Sequence, residues 1–231
     1  MGGNALKPFV VRRFTTAEGN LLKKELLPIL RNYFLSATPT RSVMEKTDHG
    51  DMDIVVGGPK YSDWKQRLYE ELKPRANKSN GNVHSFEYQG IQIDLIHITD
   101  FDLDDMDSIK WPHEYFCDND FGNLIGRIAR HIGFTFGSQG FTYTVYDEGG
   151  NYKRELLISR DQDKVFKFLG YPKPRPWSFS SFNEMFHFVT TSSLFDPTIY
   201  FLENRNHEGR HRDTKRPNYN KFLEYLYVVY P

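Results

Sequence analysis

The sequence predicts an α+β fold with a mixed or antiparallel sheet flanked by helices, and three observations carry that reading. Two stretches read as β-hairpins with turn residues in place. Several others carry apolar residues at helical spacing between capping and terminating residues. Tyr and Phe are in excess within an ordinary apolar content, so a packed core is expected.

Along the chain, "TTAEGNLLKKELLPILRNYF" reads as the first helix. Thr15 is its N-cap and Glu18 completes a capping box. Leu22, Leu26, Ile29 and Tyr33 form its buried face, and Pro28 should kink or shorten it. "ATPTRSVME" reads as a short strand and Asp51 to Val56 as another. "YSDWKQRLYEELK" is an amphipathic helix with Trp64, Leu68 and Leu72 inward. "HSFEYQGIQIDLIHI" is a hairpin turning at Gln89-Gly90, and "DFDLDDMD" after it reads as a solvated loop. "DNDFGNLIGRIARHIG" is a helix capped by Asp118 or Asp120 and ended by Gly133. A second hairpin turns at Glu148-Gly149-Gly150-Asn151. "SRDQDKVFKFLGYP" is a helix with Ser159 as N-cap and Gln162 closing the box. "PKPRPW" reads as a linker, followed by helices near 179–191 and 217–228.

The 231 residues suffice for one large domain or two small ones. No apolar run is long enough to span a bilayer and no signal-peptide start is seen, so no membrane partner is expected. The single cysteine, Cys117, excludes an intramolecular disulfide and fits a reducing, intracellular compartment, cytoplasmic or nuclear. Formal net charge is zero, which argues against gripping long nucleic acid by charge alone. That average conceals an asymmetry: residues 94–120 are strongly acidic, and the chain from Lys153 onward is mostly basic.

The chemistry is carried by "TDHGDMDIVV" and "IQIDLIHI". A strand alternates its faces, so Asp51 and Asp53 point the same way, and two like charges side by side repel. Asp94 lies inside an apolar strand, where a carboxylate is costly unless paired. If the two strands are neighbours, a spacing of about 5 Å brings the three carboxylates together. Such a set can hold two divalent ions roughly 4 Å apart. Oxygen-only ligands favour Mg²⁺ or Mn²⁺, and Mg²⁺ usually shares substrate phosphates, which points to nucleotide chemistry. The bland alternative is a solvated loop edge for Asp51 and Asp53 and an ion-paired core residue for Asp94.

At these residues the chain resembles a known family. "GDMDIVV" followed by "IQIDLI" resembles the palm of the family X DNA polymerases, within the polymerase-beta-like nucleotidyltransferase superfamily. The resemblance runs from about Arg13 to Tyr171. "RRFTTAEGNLLKKELLPIL" is similar to the helix entering their palm, with Arg13 or Arg12 at the motif arginine. "YFCDNDFGN" is similar to their nucleotide-pocket segment, and "GFTFGSQGFTY" with "SRDQDKVFKFLGYP" to their thumb. The resemblance implies a palm over 1–112, a small thumb-like subdomain over 113–176 and a helical C-terminal extension over 177–231. It implies that Asp51, Asp53 and Asp94 bind Mg²⁺ or Mn²⁺, with Asp94 also helping to activate an attacking 3′-hydroxyl. Ser42, beside Gly50 and Lys46, would face the triphosphate; Tyr115 and Phe116 the sugar; Asp120 the base; and Asn123 its minor-groove edge. The implied activity is nucleotide transfer from an NTP or dNTP to a nucleic-acid 3′ end. Transfer to tRNA, protein or a small molecule, or a catalytically inactive binding module, are the alternatives.

The chain also departs from the family. Arg41-Ser42 stands where the family has Gly-Ser. Glu45 or Lys46 falls at its downstream basic position, Lys46 being the chemically sensible substitute. Asp118 replaces a glycine, and the N-terminal DNA-gripping helix–hairpin–helix modules are absent. "ENRNHEGRHRDTKRPNYNK" clusters Arg205, Arg210, Arg212, Lys215 and Arg216, and these arginines are candidates for nucleic-acid contact. "FGSQG" reads as a bend, Cys117 as a packed thiol and His49 as a loop histidine. "DFDLDDMD" lacks the glycine and glutamate of a calcium loop.

Overall fold

The computed structural model describes residues 3–105 and 107–230. It is α+β, with a mixed five-stranded sheet flanked by helices. The chain divides into two compact units. One runs to Thr40 and resumes over Lys46–His113; the other comprises Arg41–Glu45 and the chain from Glu114 on.

In the first unit, β1 (Phe14–Thr15) leads into α1 (Thr16–Tyr33) through the expected capping box. The Glu18 carboxylate accepts from the Thr15 N–H at 2.7 Å, and the Thr15 hydroxyl accepts from the Glu18 N–H. Pro28 does not shorten α1, which continues to Tyr33. The proline sits on the exposed side, where water can serve the carbonyl one turn back. The buried stripe is Leu22, Leu26, Leu30 and Tyr33, with Ile29 partly buried against the same core. Then come β2 (Phe34–Pro39), β3 (Asp48–His49), β4 (Asp51–Pro59), α2 (Trp64–Leu72), β5 (Asn77–Asn80), β6 (Val83–Tyr88), β7 (Ile91–Ile98) and α3 (Asp107–Phe116), whose residues from Glu114 on count with the second unit. The helix α3 was not read from the sequence.

The sheet order is β2-β4-β7-β6-β5, with β4 and β7 parallel and the other pairs antiparallel. Gln89 and Gly90 both take positive φ, the conformation a two-residue hairpin turn demands. Met52, Ile54 and Val56 of β4 and Ile93 and Leu95 of β7 join one core cluster with Leu22, Leu26 and Leu30 of α1 and Trp64 and Leu68 of α2. Alternation then puts Asp51, Asp53 and Asp94 on the opposite face. Toward the far end of that face, a Cβ at Gly57 would come within 2.5 Å of the Phe101 ring, so only glycine fits there.

The second unit contains α4 (Phe121–His131), β8 (Thr135–Gly137), β9 (Gly140–Tyr146), β10 (Tyr152–Ser159), α5 (Gln162–Phe168), α6 (Phe182–Thr190), α7 (His207–Thr214) and α8 (Pro217–Val229). The three strands form an antiparallel sheet. Asp161, not Ser159, caps α5, its side chain accepting from the Lys164 N–H. The excess aromatics pack here: Phe121, Phe166, Phe179 and Phe188 contact one another, and Phe186 packs on Phe222. Two buried hydroxyls fasten the C-terminal segment, one to α4 and one within the segment itself. Tyr200 donates to the Leu124 carbonyl at 2.9 Å, and Tyr219 donates to the Tyr200 carbonyl at 2.6 Å. Among the described residues, no helix is long and apolar enough to cross a membrane.

Candidate functional site

Parallel pairing of β4 with β7 sets Asp53 directly beside Asp94. Asp51 lies two residues earlier on the same face. One carboxylate oxygen from each of the three lies within 4.8 Å of the others. On its other side, Asp94 is registered against Ser85 of β6. Gln92 donates its side-chain amide to both Asp94 oxygens at 3.0 Å, and the Gly3 N–H donates to Asp51 at 3.0 Å. These partners hold the carboxylates in place. Neither Gln92 nor Ser85 was singled out from the sequence, although Gln92 lies two residues from Asp94 on the same strand face.

Burial, and then the charges of Asp51 and Asp94, raise the Asp53 carboxyl well above its usual range; Lys46 works in the opposite direction. Burial raises Asp94 to about 6, against the hydrogen bonds from Ser85 and Gln92. Three acids crowded on one sheet face, Asp94 buried and Asp51 and Asp53 half-buried, repel one another, and a cation relieves that repulsion. The donor set is all oxygen, which fits Mg²⁺ or Mn²⁺. His49 is not part of it: its Nε2 is hydrogen-bonded with the Thr16 hydroxyl and its ring stacks on Phe14. Gly50 immediately precedes β4, and Arg13 is paired with Asp48 at 2.5 Å.

Ser42, Tyr115, Phe116, Asp120 and Asn123 belong to the second unit. The segment carrying Ser42 is fastened there by main-chain bonds from Met44 to Phe179 and from Glu45 to Ser180, both through the N–H. Val43 N–H donates to Asn119, and Glu45 accepts from the Phe182 N–H. Arg41 pairs with Glu114 and lies 3.8 Å from Asp118. Arg175 completes the group, at 2.6 Å from Asp118 and 3.4 Å from Glu114. "PKPRPW" is therefore no free linker: its Arg175 is buried in a four-member charge network, and Trp177 lies over the Arg41 guanidinium at 4.1 Å. Asp118, offered as a helix cap, is instead fully buried in that network with a positive φ. Asp120 takes the N-cap position of α4 without a capping bond, and its carboxylate accepts from Arg216 at 2.8 Å. Tyr115 packs edge-to-face on Phe116, and Asn123 lies on α4 with a buried side-chain donor that has no partner among the described residues. Cys117 is buried, as a packed thiol should be.

The arginines of the C-terminal segment are not one solvated cluster. Arg205 contacts the buried Asp213 at 3.3 Å, Arg210 donates to the Arg205 carbonyl, and Arg216 holds Asp120. Arg212 is largely exposed, 3.6 Å from Asp213. Asp213 also binds Arg127 of α4 at 2.6 Å. Sequence reading stopped at Asn123 and missed Arg127, although four residues along a helix puts it on the same face.

Comparison with models of known protein families and with curated proteins finds no match.

Proposed function

We propose that the chain is an Mg²⁺- or Mn²⁺-dependent nucleotidyltransferase with a palm like that of the family X DNA polymerases. It transfers a nucleotide from a nucleoside triphosphate to an acceptor hydroxyl, with a nucleic-acid 3′ end as the acceptor. The observation that carries this reading is the set of three carboxylates on paired strands, their oxygens within 4.8 Å of one another. No salt bridge to the set is found among the described residues, Lys46 acting on Asp53 only through its charge.

Asp51, Asp53 and Asp94 would hold the metal. Once bound, the cations lower the pKa of the attacking hydroxyl and stabilise the charge of the leaving oxygens. The acceptor oxygen attacks the α-phosphorus, the bond to the bridging oxygen breaks, and pyrophosphate leaves. Asp94, oriented by Gln92 and Ser85, is the carboxylate assigned to the hydroxyl's proton. Lys46 and the Gly50 main chain, in the same unit as the carboxylates, are assigned to the triphosphate.

The test is incubation of the purified chain with Mg²⁺ or Mn²⁺, each labelled triphosphate in turn, and single-stranded, primed and gapped DNA, RNA and tRNA. Extension of a nucleic acid, lost in Asp53→Asn, is the expected result. The absence of any labelled product would overturn the proposal. It would favour an inactive binding module, a reading supported by Arg41 standing where a phosphate-approaching glycine is expected.

A further inference from the structure

The second unit contains a cleft of about 430 Å³, walled by α4 and β8 on one side and by the segment 196–212 on the other. Arg127, Arg130, Arg205 and Arg212 line it. The carboxylates near them are Asp213, buried beneath Arg127 and Arg205, and Asp196, held by the Thr198 N–H at 2.9 Å. Four arginines against two aspartates leave a surplus of two positive charges. Arg130 is exposed and makes no ion pair among the described residues. Two buried donors have no partner among the described residues, Nε of Arg127 and Nδ2 of Asn123, and both residues line this cleft. A buried donor left unpaired is costly, so an acceptor supplied by a ligand is favoured.

We propose that this cleft binds the phosphodiester backbone of single-stranded nucleic acid. Arginine forks match phosphate oxygens, and a surplus of two charges suits a strand carrying one charge per residue. The floor at Gly126 has no side chain, which lets a sugar-phosphate approach the helix. Tyr115 at the margin offers a ring for a base to stack on. Size and closure decide between strand forms. The volume is that of a small-ligand site. The segment 196–212 forms the other wall, tied to α4 by the Tyr200 hydroxyl, and a cleft of about 430 Å³ takes a nucleotide-sized piece of a flexible strand rather than the width of a duplex. The inference deepens the proposed nucleotidyl transfer by specifying the form of nucleic acid. Its test omits metal and triphosphate, so failure here and failure of the transfer reaction are distinguishable.

The experiment is fluorescence anisotropy of the full chain in EDTA, with labelled decamers as single-stranded DNA, single-stranded RNA and duplex. The expected result is tighter binding of a single strand than of the duplex. The DNA and RNA arms identify which sugar the cleft prefers. Arg130→Gln with Arg212→Gln should weaken single-strand binding at least tenfold at low salt. It should also reduce the slope of log affinity against log salt by about 1.4, at roughly 0.7 per phosphate contact. Lys153→Gln with Arg154→Gln, on exposed β10, removes equal charge elsewhere and should change little. Gly126→Met fills the cleft without changing charge and should also abolish binding, with circular dichroism confirming that each variant is folded. Tighter duplex binding, equal losses in the β10 control, or unchanged binding in Gly126→Met would each overturn the proposal.

Discussion

Replacing Asp94 with asparagine should make the metal-free protein more stable, although it removes a residue assigned to catalysis. Asp94 shifts from 3.8 to about 6, chiefly through burial. A raised carboxyl favours the protonated form in the folded state. Stability from this group is therefore fully present below about pH 4 and is lost as pH rises through about 6. A shift of about 2 units at roughly 1.4 kcal/mol each makes the ionised carboxylate cost about 3 kcal/mol at pH 8. Asparagine removes that cost but offers one acceptor where Gln92 now donates to two oxygens, a loss of about 1 kcal/mol. The net gain is about 2 kcal/mol, or roughly 4–8 °C in melting temperature for a chain of this length. The assay is thermal unfolding by circular dichroism in EDTA at pH 8 and at pH 4.5. Asp94→Asn should melt higher at pH 8, with the gap narrowing at the lower pH. Millimolar Mg²⁺ or Mn²⁺ should raise the wild type alone. An Asp94→Asn protein that melts at or below the wild type at pH 8 would refute the reasoning.

Asp53→Asn should abolish nucleotide transfer while leaving the circular dichroism spectrum unchanged, because it removes ligand charge and keeps shape; retained activity would move the metal elsewhere. Arg175→Met leaves Asp118 and Glu114 buried with Arg41 alone, and urea unfolding should show a loss of about 3–5 kcal/mol. Leu26→Ala opens a cavity beneath α1 at a fully buried position and should cost about 2–5 kcal/mol by the same measurement. Thr15→Ala removes the acceptor for the Glu18 N–H and should cost about 1 kcal/mol, read from the urea midpoint.

Local chemistry was legible without coordinates. The Thr15–Glu18 capping box, the Gln89-Gly90 turn and the shared face of Asp51 and Asp53 depend on residues a few positions apart, so spacing alone determines them. The same short-range logic misjudged Ser159, where the choice among neighbours turns on which residue offers the cap. Long-range pairing belongs to the tertiary structure. No local pattern specifies that β4 runs parallel to β7 in the register that sets Asp53 beside Asp94, because the partner strand is distant in the chain and one residue of slip would reverse the face. The same holds for Asp213 beneath Arg127, 86 residues away, and for Arg175 in the network with Asp118 and Glu114. Charged residues read singly look like solvated surface. Only packing, by removing water from around them, decides which become buried partners and which are left facing a cleft.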